Sequence, residues 1–159
     1  MSITQDFLPF PGSATVREAL GVYLQRNAQA WWLLIAEKES EHAVCSFGSL
    51  LPYLTGRTPH IVHNIGQCAI CSGMDPLLWQ ETGALAREAL ADETICRRRV
   101  GDLPLAALPV VDGERIDEHE IVRTMAMNRA LACGVKKNGD WYGVFRFQMK
   151  GDLGGPPSF

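Results

Sequence analysis

The same small unit is written twice along this chain, and a sequence that repeats itself at domain scale is constrained to build two like halves that stack. In the first copy Thr15-Val16-Arg17-Glu18 opens a helical pattern, Trp31 to Ala36 reads as a strand, and Ala43 to Phe47 reads as another. The second copy follows the same order, with Asp117-Glu118-His119-Glu120, then Leu131 to Lys136, then Gly143 to Phe147. Thr15 with Glu18, and Asp117 with Glu120, place side-chain acceptors at a helix start and an acid three residues on, the capping pattern. Val16, Leu20, Tyr23 and Leu24 then share one helical face, as do Ile121, Val122 and Met125 with Met127 close by. Asn138-Gly139 predicts a tight type I′ hairpin in the second copy, whereas the first uses the polar loop Glu37 to Glu41. The copies correspond at a spacing of about 102 residues before the turn and 100 after it, so the length change is expected to fall in the turn.

Proline-bearing stretches precede both helices: Phe7 to Pro11 in one copy, Leu103 to Val111 in the other. Each is expected as an edge strand, where a missing N–H is tolerated. Gly48 to Leu54 predicts a short helix. A further helix starts at Asp75-Pro76 and carries Leu77, Leu78, Ala84, Leu85 and Leu90, with Gly83 a weak point; it is expected to pack across both halves. Lys150 to Phe159 is a Gly/Pro-rich tail.

With 159 residues, 47% of them apolar, the chain is long enough for two small intimately packed halves. A net charge of -3 and a pI near 5.8 argue against nucleic acid as a partner. Arg97-Arg98-Arg99 reads as a solvated stretch after a helix. The first residues lack a basic segment followed by a long apolar one, and no apolar run reaches the ~18 residues of a membrane span, so a soluble, cytoplasmic protein is expected. In that compartment Cys45, Cys68, Cys71, Cys96 and Cys133 read as core residues, metal ligands or redox thiols rather than disulfides. Neither a Gly-x-Ser-x-Gly elbow, nor a phosphate loop, nor a His-Glu-x-x-His pair is present, so no enzyme class is indicated. The acids around His119 read as helix-start residues favoured by the dipole. Trp31-Trp32, Trp79 and Trp141-Tyr142 read as core or dimer-seam aromatics.

Ala14 to Leu20 entering the first helix, Val100-Gly101-Asp102-Leu103 leading into the second unit, and Asn138 to Phe145 as its hairpin resemble the tandem cystathionine-β-synthase (CBS) domain pair, or Bateman module. The resemblance covers most of residues 7–56 and 100–149. It implies an α/β (α+β) fold of two β-α-β-β-(α) units packed as a pseudo-symmetric pair with an inserted linker helix. The expected divisions are residues 1–56 for the first unit, 57–96 for the connecting segment, 97–150 for the second unit and 151–159 for the tail. It also implies a non-catalytic regulatory module that holds an adenosine-type nucleotide such as AMP, ATP or S-adenosylmethionine between the units. The family's ligand motif follows the last strand as Gly-h-h-Thr/Ser-x-x-Asp, the hydroxyl on phosphate and the carboxylate on ribose. Here Ser46 matches the hydroxyl but Ser49 stands at the acid, while the second copy has Arg146 and Met149 at these places. A ribose without its acceptor loses ~1 kcal/mol or more per hydrogen bond. Arg146 offers instead a fork for phosphate or carboxylate. The ligand-binding residues so expected are Thr15, Ser46, Asp117 and Arg146.

Between the copies, His60-x2-His63-x4-Cys68-x2-Cys71 gathers two imidazoles and two thiols, the ligand types of tetrahedral zinc. The same set fits an iron–sulfur cluster of mixed ligation. It also fits a buried Cys pair among Ile61, Val62, Ile65, Ala69 and Ile70, or a redox dithiol. Two functional readings follow: a regulatory module taking a small ligand and acting through a homodimer or an effector protein, and a small zinc or iron–sulfur metalloprotein or redox sensor. Neither calls for nucleic acid or a membrane.

Overall fold

The computed structural model describes residues 2–57 and 76–146. Along them run β1 (Ser2–Thr4), β2 (Phe7–Pro11), α1 (Val16–Gln25), β3 (Leu33–Glu37), β4 (His42–Ser46), α2 (Phe47–Leu54), α3 (Pro76–Leu90), α4 (Glu93–Arg97), β5 (Ala106–Leu108), β6 (Val110–Gly113), α5 (Glu118–Met127), β7 (Ala132–Lys137) and β8 (Asp140–Arg146). Both repeat helices start as their caps dictate. The Thr15 hydroxyl accepts from Glu18 N–H at 3.2 Å, and the Asp117 carboxylate accepts from His119 and Glu120 N–H at 2.9 and 3.4 Å. Both also end alike: Asn27 and Arg129 each take φ 50°, and the residue after each donates back to Tyr23 and Met125 carbonyls. Asn138-Gly139 turns with φ 52° and 84°, as a type I′ hairpin requires.

Strand pairing ties the repeats together. One four-stranded sheet has the order β2-β3-β4-β5 and the other β1-β8-β7-β6. In each, the strand before the helix pairs in parallel with the strand after it, so β2 lies on β3 and β6 on β7. The proline-bearing β2 is an edge, as expected, whereas the second stretch is divided at Pro109 into β5 and β6, edges of different sheets that contain no proline. The opposite edges are exchanged between halves: β1 pairs antiparallel with β8 of the second unit, and β5 pairs antiparallel with β4 of the first.

Alternation along the strands sorts side chains into layers. Leu34, Ala36, Ala43 and Cys45 face α1 and α2 and join Ala19, Leu20, Tyr23, Phe47, Leu50 and Leu51 in the larger core. Cys133, Val135 and Phe145 face α5 and meet Ile121 and Met125. The intervening residues Leu33, Ile35 and Val44, with Leu108, meet Ala132 and Val144, so the two sheets are pressed face to face along an apolar seam. Covering some thirty such side chains at ~25 cal/mol per Å² of apolar surface is the main force holding the pair.

Three expectations are corrected. Trp31 and Trp32 stand before β3 rather than in it; Trp32 N–H turns back to the Gln29 carbonyl and Trp31 Nε1 donates to Asp6 at 2.9 Å. The change in length between the copies consequently falls mostly before the strand. The spacing is 102 from Thr15 to Asp117 and from Asn27 to Arg129, but 99 between the equivalent strand residues Leu34 and Cys133, which pair with Cys45 and Phe145. Finally, the described side chains of α3 pack on one half: Leu85, Ala86 and Ala89 enter the first unit's core. The Arg run is partly engaged, with Arg97 on Glu93, Arg98 on the Tyr53 hydroxyl and Arg99 on the Ser13 carbonyl. Among the described residues no helix is long and apolar enough to cross a membrane.

Candidate functional site

The seam has two chemically different ends, because β4 and β8 both run from one end to the other. Where they begin, Glu37 gathers polar groups from both halves. Its Oε2 accepts from Trp141 Nε1 at 3.3 Å and lies 3.7 Å from both Lys136 Nζ and His42 Nε2. The Trp141 ring meets His42 edge-on and Phe7 at a tilt, each at 5.6 Å between centroids, with the Lys136 ammonium 4.8 Å from its centre. Burial and the Lys136 charge push the His42 pKa below its ordinary value, and Glu37 pulls against them. This end is closed.

Where the strands finish stand Ser46 and Arg146, paired in the ladders with the first residues of β3 and β7, Leu33 and Ala132. They are repeat equivalents on the face carrying Val44 and Val144, the seam face. Both are buried, Arg146 to 4% exposure, a rare condition for a side chain that stays charged at any ordinary pH. Ser46 also caps α2, accepting from Ser49 N–H at 3.1 Å, and the two hydroxyl oxygens stand 2.8 Å apart. The Gln29 to Trp32 stretch, in a connection three residues longer than its counterpart, occupies the start of this helix: Phe47 N–H donates to the Trp32 carbonyl and Gly48 N–H to that of Ala30. The helix start that would cradle an anion is therefore spent on the chain's own carbonyls.

Of the other expected residues, Thr15 and Asp117 sit at equivalent helix starts, with Thr15 half-buried and bridged through its backbone to Arg99, and Asp117 exposed. Their side-chain oxygens serve as caps. His60, His63, Cys68 and Cys71, and with them the zinc, iron–sulfur and dithiol readings, lie outside the described residues, as does Met149. Among the described residues no cluster of His, Cys, Asp or Glu is arranged to hold a metal. Cys45, Cys96 and Cys133 are buried free thiols. Burial pushes the Cys45 thiol up and that of Cys133 to about 11, so both are poor nucleophiles and belong to the core. The Glu37–His42–Lys136–Trp141 cluster was not legible in the sequence, because it joins two pairs that lie about a hundred residues apart in the chain.

Comparison with protein-family models and with curated proteins finds no match. Among solved structures the chain is similar to the CBS domain of a CBS domain containing membrane protein from Sphaerobacter thermophilus, at 12% identity and TM-score 0.49 over 90% of this chain and 78% of that one. It is also similar to a CBS domain-containing protein from Kribbella flavida, at 20% identity and TM-score 0.46 over 89% and 88%. A third is the CBS-pair protein CBSX2 from Arabidopsis thaliana, at 17% identity and TM-score 0.44 over 92% and 84%. The chain's own strand order, with two β-α-β-β units sharing edge strands across a pseudo-twofold seam, is a CBS-pair-like α+β fold.

Proposed function

We propose that the chain is a non-catalytic regulatory module that takes a small anionic ligand at the Ser46/Arg146 end of the seam and passes its occupancy to a second copy or an effector protein. The observation that carries this reading is the buried Arg146 at the place equivalent to Ser46. An arginine held there meets a phosphate or carboxylate through two parallel hydrogen bonds in a site screened from water. The first unit contributes little to an anion, since the N–H groups opening α2 are already bonded. Its Ser49 hydroxyl, beside Ser46, replaces a ribose acceptor. The ligand is thus held by its anionic group from the second unit, with Thr15 and Asp117 at the helix starts of the two units. Among nucleotides, AMP and ATP suit the arrangement better than S-adenosylmethionine.

Isothermal titration with AMP, ATP, S-adenosylmethionine and adenosine tests this. Heat is expected with the phosphate-bearing compounds and none with adenosine, and Arg146→Gln is expected to weaken binding at least about tenfold, with Ser46→Ala weaker in effect. Absence of heat with every compound at millimolar concentration removes nucleotides as ligands. Heat that survives Arg146→Gln in a folded variant overturns the site.

A further inference from the structure

A pocket of about 390 Å³ opens on the helical side of the first unit, between the end of α1 and the middle of α3. Tyr23, Leu24, Asn27, Ala28 and Gln29 line it from one side, Thr82, Gly83, Ala84 and Arg87 from the other. It is separate from the seam, since Tyr23 faces the larger core through its ring, stacked on Phe47 at 4.1 Å. Its size is that of a small-molecule site.

The polar groups are graded from floor to rim. Tyr23 and Thr82 are buried, at 1% and 3% exposure, whereas Asn27 and Arg87 are exposed. The Tyr23 hydroxyl makes no hydrogen bond of full geometry, although Thr82 stands close enough to draw its pKa down slightly; burial dominates and raises it to about 12. A buried hydroxyl in that condition is costly unless a further group satisfies it. Packing alone does not call for it, because the repeat equivalent in α5 is Met125, buried against its own sheet without a polar atom. At the rim the Arg87 guanidinium folds back along α3 over Gly83, where an added Cβ would stand 3.4 Å from Nη1. Among the described residues no acidic side chain lines the pocket, and these residues offer one positive charge, several hydrogen-bonding groups and the apolar walls of Leu24, Ala28 and Ala84.

We infer that this pocket binds a small organic carboxylate whose acid group meets Arg87 at the rim and whose far end carries a hydroxyl or carbonyl that reaches Tyr23 and Thr82. The apolar walls accept a chain of about four to six carbons between these ends. The site is independent of the anion proposed for Arg146.

The test is a titration of the whole chain, followed by amide NMR, with hydroxy- and oxo-carboxylates of that length and with their primary amides as uncharged controls. A carboxylate is expected to shift the amides of Tyr23, Ala28, Thr82 and Arg87, and its amide is not. Arg87→Gln, on an exposed side chain, is expected to weaken binding about tenfold, and Tyr23→Phe, which keeps the ring stacked on Phe47, about fivefold. Arg146→Gln is expected to leave it unchanged. The inference is overturned if no carboxylate shifts these amides, if the amides of the acids bind as well, or if Arg87→Gln binds like the parent. Loss of the response in Arg146→Gln overturns it too, by placing the carboxylate in the seam.

Discussion

Gly12 and Gly101 touch backbone to backbone where the chain entering the second unit crosses the end of β2: Gly101 N–H donates to the Gly12 carbonyl at 2.9 Å, and a Cβ on Gly101 would lie 2.9 Å from the Gly12 Cα. The opposing atoms are main chain and cannot rotate away. Gly101→Ala is therefore expected to lower stability by about 1–3 kcal/mol in urea unfolding. Gly21 is the contrast, being inside α1 with nothing within 4 Å of its added Cβ. There Gly21→Ala is expected to raise stability by about 0.5–1 kcal/mol, through reduced freedom of the unfolded chain and better helix propensity. Equal effects at the two sites would refute the close-approach account. In the sequence these glycines look alike, because what separates them is a contact between residues about ninety positions apart. Arg146 posed the same difficulty: its chemistry was legible as an anion fork, but its burial depends on ladder partners Ala132 and Ser2 and on the sheet behind them.

Helices and hairpins were more legible, since their signals are local. The caps at Thr15 and Asp117 and the Asn138-Gly139 turn form as their side chains dictate. The three-residue strand β1 was not legible, being too short to display alternation, and β5 fell inside a stretch expected as one edge strand, its separate pairing with the opposite half being set by tertiary contacts. The placement of Trp31 and Trp32 was misread because an apolar run satisfies a strand pattern whether or not it pairs. The caps differ in what backs them up. Helix α1 packs on α3 and α4 as well as on β2, whereas the contacts of α5 are chiefly with β6 and β7. Thr15→Ala and Asp117→Ala are each expected to cost about 1 kcal/mol of global stability. Hydrogen exchange is expected to separate them, with Asp117→Ala speeding exchange throughout the first turns of α5 and Thr15→Ala changing α1 little beyond its first turn. Similar exchange in both helices would mean that α5 has support comparable to that of α1.

Where β4 and β8 begin, charged groups of the two halves meet, and the acid dependence of this end of the seam has a determined sign. In the folded protein the His42 pKa is depressed, first by burial and then by the Lys136 ammonium, against the opposing pull of Glu37. In the unfolded chain it returns to ~6.5. Protons thus bind the unfolded state more readily, so the stabilisation is complete above ~6.5 and is lost as pH falls through the folded value. His42→Phe retains an edge contact with Trp141 and removes the titration, and its stability is expected to fall less than the parent's between neutral and mildly acidic pH. Glu37→Gln acts in the other direction. It removes the charge that keeps His42 protonatable beside Lys136, so the His42 pKa drops further and the decline with acid steepens, on top of about 0.5–1 kcal/mol lost at neutral pH from the half-exposed ion pair. Urea midpoints of the three proteins, followed across pH, distinguish the cases: Glu37 and His42 pair directly across β3 and β4, and Lys136 and Trp141 bring β7 and β8 onto the same carboxylate. Parallel curves for the parent and both variants would show that Glu37 and His42 are neighbours without coupling.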